Sequence, residues 1–90
     1  MWFEWDESKR QLNLEKHGLD FIDAVAMFDA PHMVEVARTV GDEARSLAIG
    51  QLNARVVVVV YTMRGDATRI ISMRRARDGE RRRYEAVFGT

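Results

Sequence analysis

The sequence contains no cysteine and only two histidines, so it cannot form disulfides or thiolate metal sites and has too few imidazoles for a convincing zinc site. Its longest aliphatic run, Val56 to Val60, is far shorter than the roughly 20 residues of a membrane helix. The first ten residues lack a basic segment followed by an apolar core. These absences predict a cytoplasmic protein that does not contact membranes and that uses no metal and no cofactor.

The 90 residues are 47% apolar and 31% charged, which is typical of a folded globular protein. A chain of this length has a modest core. It contains a single proline and no repeats or low-complexity linkers. The sequence therefore predicts one domain that spans residues 1–90.

The charge is unevenly distributed although the formal net charge is zero. Residues 1–45 carry ten acids and five bases, whereas residues 46–90 carry four acids and nine bases. A basic half of this kind can attract a polyanion. The alternative is that folding mixes the two halves into an ordinary surface.

The first third of the chain has the pattern of two helices. Asp6 is a plausible N-cap for a helix that ends at His17, and Gly18 supplies the left-handed residue that closes it. Asp20 is the predicted cap of a second helix, which stops before Pro31. The apolar stripe of this second helix consists of Phe21, Val25 and Phe28.

After the proline, the apolar period changes to two and predicts four antiparallel strands, in the segments HMVEVA, RSLAIGQL, RVVVVVYTM and TRIISMRR. Val56–Val60 is apolar at consecutive positions, so we expect a central strand with both faces covered. A last helix begins near Asp78, a fair N-cap, and its apolar patch consists of Tyr84, Val87 and Phe88. The predicted fold is α+β, with two N-terminal helices, a four-stranded antiparallel sheet and a C-terminal helix. A short strand at WFEW is an optional addition.

Arginine is concentrated in the last third of the chain, where eight arginines lie between residues 64 and 83. Strict alternation along the fourth strand places Ile70, Ser72 and Arg74 on one face and Arg69, Ile71, Met73 and Arg75 on the other. A tight hairpin brings Arg64 near Arg69, so we expect the guanidinium groups to gather at one end of the sheet around a shared anion. The alternative is ion pairing with the acids of the same segment, which are Asp66, Asp78, Glu80 and Glu85.

Nearly the whole chain resembles the BrnT family of type II toxins. The motifs WDESK, NLEKHG, AIG, VVVYTMRG and RIISMRRA come in the family's order and spacing. The resemblance implies a compact RelE-like ribonuclease fold and an RNA-cleaving activity that inhibits translation in a stress response. It also implies a homodimer within a complex with a BrnA-like antitoxin, whose own domain contacts DNA, so that the toxin meets DNA only indirectly. Met73 is a departure, because relatives commonly have alanine there.

Metal-independent cleavage of RNA by its 2′-hydroxyl needs a base, a cation at the phosphorane oxygens and a proton for the leaving 5′-oxygen. Arginine can supply only the cation. Arg64 and Arg74 match the family's YTMRG and ISMRR positions and are the predicted catalytic phosphate stabilisers. Three further arginines are predicted to bind substrate: Arg45, Arg69 and Arg75. The alternative for this group is a structural ion-pair network.

The first helix has a basic face. At 100° per residue, Lys9 and Lys16 lie within about 20° of one another, with Asn13 beside them and His17 at the margin. This face could line a substrate groove opposite the arginines, with Lys9 binding substrate and Lys16 and His17 taking part in catalysis. His17 is a candidate proton shuttle because imidazole titrates near neutral pH. The alternative is that His17 only caps the helix, where an imidazolium favours the macrodipole.

Several other residues have a structural explanation beside a functional one. Glu4 and Asp6 could act as a base, although Asp6 fits a helix cap better. Tyr84 resembles, in type and place, the tyrosine that some RelE relatives use, but its spacing points to the core. Trp2 and Trp5 could stack on bases, or they could anchor the N-terminal segment to the body.

The residues leave two classes of function open. The first is an endoribonuclease, and the second is a non-catalytic nucleic-acid-binding module with the same basic surface. Phosphate binding gives both the same steep salt dependence, so turnover of RNA is what separates them. A third role, in which the arginine-rich end binds an acidic antitoxin segment, is compatible with the first.

Overall fold

A computed structural model describes residues 1–89 as three helices and one five-stranded mixed sheet. The strands are β1 (Trp2–Trp5), β2 (Met33–Val36), β3 (Ser46–Leu52), β4 (Arg55–Arg64) and β5 (Ala67–Arg75). The helices are α1 (Glu7–His17), α2 (Phe21–Asp29) and α3 (Asp78–Phe88). The predicted α+β class is confirmed. No helix among residues 1–89 has the length and apolar character needed to cross a membrane.

The sheet differs from the prediction in one strand. Its order is β1-β5-β4-β3-β2, and the four strands from β5 to β2 are antiparallel neighbours as expected. The segment WFEW forms β1, which pairs in parallel with the first half of β5, from Trp2 opposite Ala67 to Trp5 opposite Ile70. The prediction of a purely antiparallel four-stranded sheet is therefore wrong, since a parallel pair links the two most distant strands of the chain.

Side-chain caps set the ends of the first two helices as predicted. Asp6 accepts a backbone hydrogen bond of 2.8 Å at the start of α1, and Gly18 closes the helix with φ of 68°. Asp20 accepts a backbone hydrogen bond of 3.0 Å at the start of α2. Arg10 donates from Nε to Asp20 Oδ1 at 2.8 Å and thereby lowers the pKa of Asp20. This ion pair holds the two helices together.

Apolar side chains cover both faces of the sheet. The first cluster joins the α1–α2 segment to one face and contains Leu19, Phe21, Ala24, Met27, Ala48, Val57, Val59, Ile70 and Met73. The second joins α3 to the other face and contains Ile49, Val58 and Tyr84. Because alternate residues of the Val56–Val60 run enter different clusters, the predicted central strand with two covered faces is confirmed.

The predicted apolar faces of α2 and α3 need correction. The buried residues of α2 are Phe21, Ala24 and Met27, so Val25 and Phe28 lie only at the margin of the core. In α3, the N-cap is Arg77 and Asp78 is the first helical residue. Tyr84 is buried, whereas Val87 is 61% and Phe88 is 41% exposed. The last turn of α3 therefore lies largely outside the core.

A β-bulge interrupts β5. The register with β4 shifts by one residue, so that Ile71 is left without a partner. Side chains beyond the bulge consequently point to the face opposite to the one that strict alternation predicts. Ile70 and Met73, predicted on opposite faces, are accordingly buried in the same cluster.

Asn13 of α1 closes the edge of β5 where β1 ends. Its Oδ1 accepts a hydrogen bond of 3.1 Å from the backbone N–H of Met73, and its Nδ2 donates one of 3.1 Å to the carbonyl of Leu19. The side chain is buried, with 8% of the residue exposed. Asn13 therefore has a structural role that its predicted place on a basic helix face did not reveal.

Candidate functional site

Three of the predicted arginines lie on the sheet face that packs against α3: Arg64, Arg69 and Arg74. Arg69 is opposite Thr62 and Arg74 is opposite Val58, and positions 58, 62 and 64 of β4 alternate onto one face. Arg69 and Arg74 are five residues apart, so an unbroken strand would place them on opposite faces. The bulge at Ile71 brings them to the same one.

These arginines do not share one pocket. Arg64 and the partner position of Arg74 are six residues apart in the register of β4, which is about 20 Å along the strand. The prediction that the guanidinium groups gather around one anion at one end of the sheet is therefore wrong. The prediction that a tight hairpin brings Arg64 near Arg69 is confirmed, because both lie near the turn between β4 and β5.

Carboxylates from distant parts of the chain pair with the arginines near this turn. Arg69 donates from Nη1 to Glu4 Oε2 at 2.6 Å, and Arg64 Nη2 lies 3.4 Å from Glu43 Oε2. Glu43 Oε1 also lies 3.4 Å from Nε of Arg45, so two arginines share one carboxylate. Strand pairing brings Glu4 to Arg69 and Glu43 to Arg64. These partners were not predicted, because they lie far from the arginine-rich segment in the sequence.

Arg74 makes a partly buried ion pair with Glu80. It donates from Nη1 to Oε1 at 2.7 Å and from Nη2 to Oε2 at 2.9 Å, and the backbone N–H of Arg77 donates to the same carboxylate at 2.8 Å. The Arg74 guanidinium is the main cause that lowers the pKa of Glu80 to about 2, and the pair raises the pKa of Arg74. The pair fixes the start of α3 to β5.

Lys9, Lys16 and His17 line a shallow cleft of about 220 Å³ between α1 and the bulged part of β5. All three side chains are exposed. Within residues 1–89 no ion pair involves any of them. The positive charge of this cleft is therefore not engaged in an ion pair with any carboxylate of the described residues.

The α1 cleft adjoins the row of arginines at Ser72. This residue lines the cleft, and it pairs with Val60 on the same sheet face as Arg69 and Arg74. The cleft residues of α1 therefore lie next to the bulge, and Arg69 and Arg74 of β5 lie before and after it along the strand. Bulges often occur beside active sites because they redirect neighbouring side chains.

Arg75 lies in a second basic cleft, of about 600 Å³, between the sheet and α3. Arg55 and Arg81 also line it, together with Tyr84 and Phe88, whose ring centroids are 4.9 Å apart. Among residues 1–89, no ion pair involves Arg55 or Arg75. This cleft combines the guanidinium groups of Arg55 and Arg75 with aromatic rings, while Arg81 lies 3.6 Å from Glu85, which lines the same cleft. The cleft was not predicted as a unit.

The remaining candidates are mostly structural. Glu4 is held by Arg69 and Asp6 caps α1. Trp5 packs edge-on against Phe21 with a centroid distance of 6.2 Å, which confirms its anchoring role, whereas Trp2 is 75% exposed. Among residues 1–89, no three histidine, aspartate or glutamate side chains come together as a metal ion would require.

A comparison with protein-family models identifies the family of this chain. The family model of the ribonuclease toxin BrnT, of type II toxin–antitoxin systems, matches residues 5–80, a range that includes all the predicted site residues. No curated protein matches the chain. The chain therefore belongs to the BrnT family of ribonuclease toxins of type II toxin–antitoxin systems.

Proposed function

We propose that this BrnT-family protein is a metal-independent endoribonuclease of the cytoplasm, which cleaves RNA, inhibits translation and is neutralised by a BrnA-like antitoxin. The family match over residues 5–80 supports the ribonuclease class and an antitoxin partner. The observation that carries the RNA site is the α1 cleft, whose Lys9, Lys16 and His17 have no carboxylate partner within residues 1–89. An unneutralised cationic cleft is what a phosphodiester requires.

In this proposal, the scissile phosphate lies in the α1 cleft beside the bulge. Lys9 holds the RNA backbone, and Lys16 neutralises the charge that develops on the phosphorane oxygens. His17 transfers a proton between the 2′-hydroxyl and the leaving 5′-oxygen, because imidazole both accepts and donates a proton near neutral pH. Its position at the open end of α1 leaves the ring accessible to substrate.

The arginines have different roles in this proposal. The side chain of Arg64 is 55% exposed and lies 3.4 Å from Glu43, so it can turn from this partner to a phosphate. Arg74 would have to break two short bonds to Glu80 before it touched RNA. We therefore assign Arg74 to positioning β5 and α3. Arg69 and Arg45 would contact phosphates of nucleotides further along the RNA.

The second basic cleft suits the RNA that flanks the cleavage point. Arg55 and Arg75 can contact phosphates, and the edges of Tyr84 and Phe88 can contact a base. Extended single-stranded RNA would then run from the α1 cleft past the bulge to α3. This course keeps the predicted contact of Arg75 with substrate.

The experiment incubates the purified protein with single-stranded RNA, with and without EDTA. Cleavage that EDTA does not change is expected for the wild type. His17→Gln and Lys16→Ala should each lose about 10²-fold or more in rate, the range in which general acid–base and charge-stabilising groups contribute. Arg38→Ala is the matched control, because Arg38 is exposed and lies outside both clefts.

The outcomes separate the competing functions. RNA binding without turnover would favour the non-catalytic binding module. If His17→Gln and Lys16→Ala both cleave RNA as fast as the wild type, the protein is still a ribonuclease but the α1 cleft is not its catalytic site. Loss of turnover on addition of EDTA would contradict the metal-independent reaction.

A further inference from the structure

The strand β2 forms an open edge of the sheet. It pairs with β3 alone, from Met33 opposite Ile49 to Val36 opposite Ser46. The backbone N–H of Ala37 donates to the carbonyl of Arg45 at 2.9 Å, which fixes the phase of the ladder. Alternate residues of an antiparallel strand point their backbone groups to opposite sides, so Met33 and Glu35 bond to β3.

It follows that Val34 and Val36 direct their backbone N–H and carbonyl groups away from the sheet. Their side chains are also exposed, at 56% for Val34 and 91% for Val36. Within residues 1–89 no other segment bonds to these backbone groups. Short length and charged side chains usually protect such an edge, and β2 has four residues with Glu35 among them. The Glu35 carboxylate is however held by Arg83, and the two exposed valines leave the outward backbone groups open to a partner strand.

We propose that β2 pairs antiparallel with β2 of a second copy of this chain, about a two-fold axis at Glu35. In this register, Val34 pairs with Val36 of the partner subunit, and Val36 pairs with Val34 of the partner subunit. All four valines present outward backbone groups, so both pairs can form the two hydrogen bonds of a closely bonded antiparallel pair. The five-stranded sheet of each copy then continues into a ten-stranded sheet.

The charges at the centre fit a second copy. The two-fold axis places Glu35 opposite Glu35 of the partner subunit, and like charges opposite one another normally destabilise a sheet. Here Arg83 of α3 donates to both carboxylate oxygens of Glu35, from Nε at 2.8 Å and from Nη2 at 3.0 Å. The symmetric pairing brings together two arginines and two glutamates, whose charges cancel, so the interface is complementary to itself.

The first test measures mass in solution by analytical ultracentrifugation over a range of concentrations. The wild type is expected to approach twice the 10.4 kDa of one chain as concentration rises. Val36→Lys should remain at the single-chain mass, because it places a charge in the pairing edge and leaves the folded monomer unaffected at 91% exposure. Val87→Lys, on an exposed position of α3, is the matched control and should associate as the wild type does.

Association that Val36→Lys does not weaken, or a wild type that stays monomeric at every concentration, would overturn this proposal. Arg83→Ala adds a second readout. It should weaken association and make it dependent on salt, because the central glutamates then repel one another. An unchanged dissociation constant in this variant would contradict the assigned register.

Cysteine cross-linking tests the register directly, since the chain contains no cysteine of its own. At the centre of the proposed pairing, the Cα atoms of Glu35 and its symmetry mate are about 4.5 Å apart, within disulfide range. Glu35→Cys should therefore form a covalent dimer on mild oxidation. Val36→Cys should not, because its symmetry mate is about 9 Å away. The reverse pattern, or no cross-link in either variant, would count against the interface. None of these experiments depends on ribonuclease activity.

Discussion

Replacing Glu80 with glutamine is expected to lower the free energy of unfolding by about 3 kcal/mol at neutral pH, and the loss should disappear in acid. Glu80 is 7% exposed and accepts two hydrogen bonds from Arg74. Its pKa falls from the ordinary 4.5 to about 2 in the folded protein. At 1.36 kcal/mol for each pKa unit, this difference corresponds to about 3 kcal/mol of stabilisation by the charged form.

The direction of the pH dependence follows from the lowered pKa. The unfolded chain binds a proton at Glu80 at higher pH than the folded chain does, so the stabilisation is complete above pH 4.5. It is lost as the pH falls from about 4.5 to about 2. Glu80→Gln imitates the protonated side chain, and its free energy of unfolding should therefore approach that of the wild type near the lower limit.

The assay is urea denaturation, followed by circular dichroism, at several pH values from 7 to 2.5. Asp66→Asn is the matched control, because Asp66 is exposed and forms no ion pair within residues 1–89, so its effect should stay within about 0.5 kcal/mol. A difference between wild type and Glu80→Gln that is small, or that is the same at every pH, would refute the reasoning.

Four further predictions concern single side chains. Asn13→Ala leaves the N–H of Met73 without its partner and should cost about 1–3 kcal/mol in urea denaturation; no loss would mean that water replaces the amide. Gly18→Ala should cost about 1 kcal/mol from its left-handed backbone alone, because nothing lies within 4 Å of the added methyl group, and an unchanged midpoint would contradict this. His17→Gln should slow RNA cleavage by about 10²-fold or more at unchanged thermal stability if His17 transfers the proton, whereas lower stability with full cleavage would indicate only a helix cap. Arg64→Ala should weaken growth arrest in cells while stability changes by at most about 1 kcal/mol, and full toxicity would exclude Arg64 from the RNA-binding surface.

Local signals in the sequence predicted the elements, but not their long-range partners. The cap residues Asp6, Gly18 and Asp20 fixed the ends of α1 and α2 because capping involves only neighbouring residues. The consecutive apolar residues of Val56–Val60 placed β4 in the centre of the sheet. The pairing of WFEW with β5 could not be predicted in the same way, because it joins residues more than 60 positions apart.

The candidate site shows the same division. Helical spacing predicted that Lys9, Lys16 and His17 share a face, and the structure places them in one cleft. The arrangement of the arginines could not be predicted in this way, because it depends on the bulge in β5 and on carboxylates from other parts of the chain. Glu4 and Glu43 carry no local signal that assigns them to Arg69 or Arg64. Their roles follow only from the register of the sheet.

The unpaired residue at position 71 makes the length of β5 as important as its composition. If it paired with β4 instead of bulging out, everything that follows in the strand would turn over. Met73 would then face outward and Arg74 would enter the apolar layer beneath α1 and α2. Deleting the unpaired residue should be tolerated better than deleting Met73 or Arg74, because Ser72, Met73 and Arg74 would keep their partners in β4 and their faces. The exposed connection between β2 and β3 likewise has room for insertions.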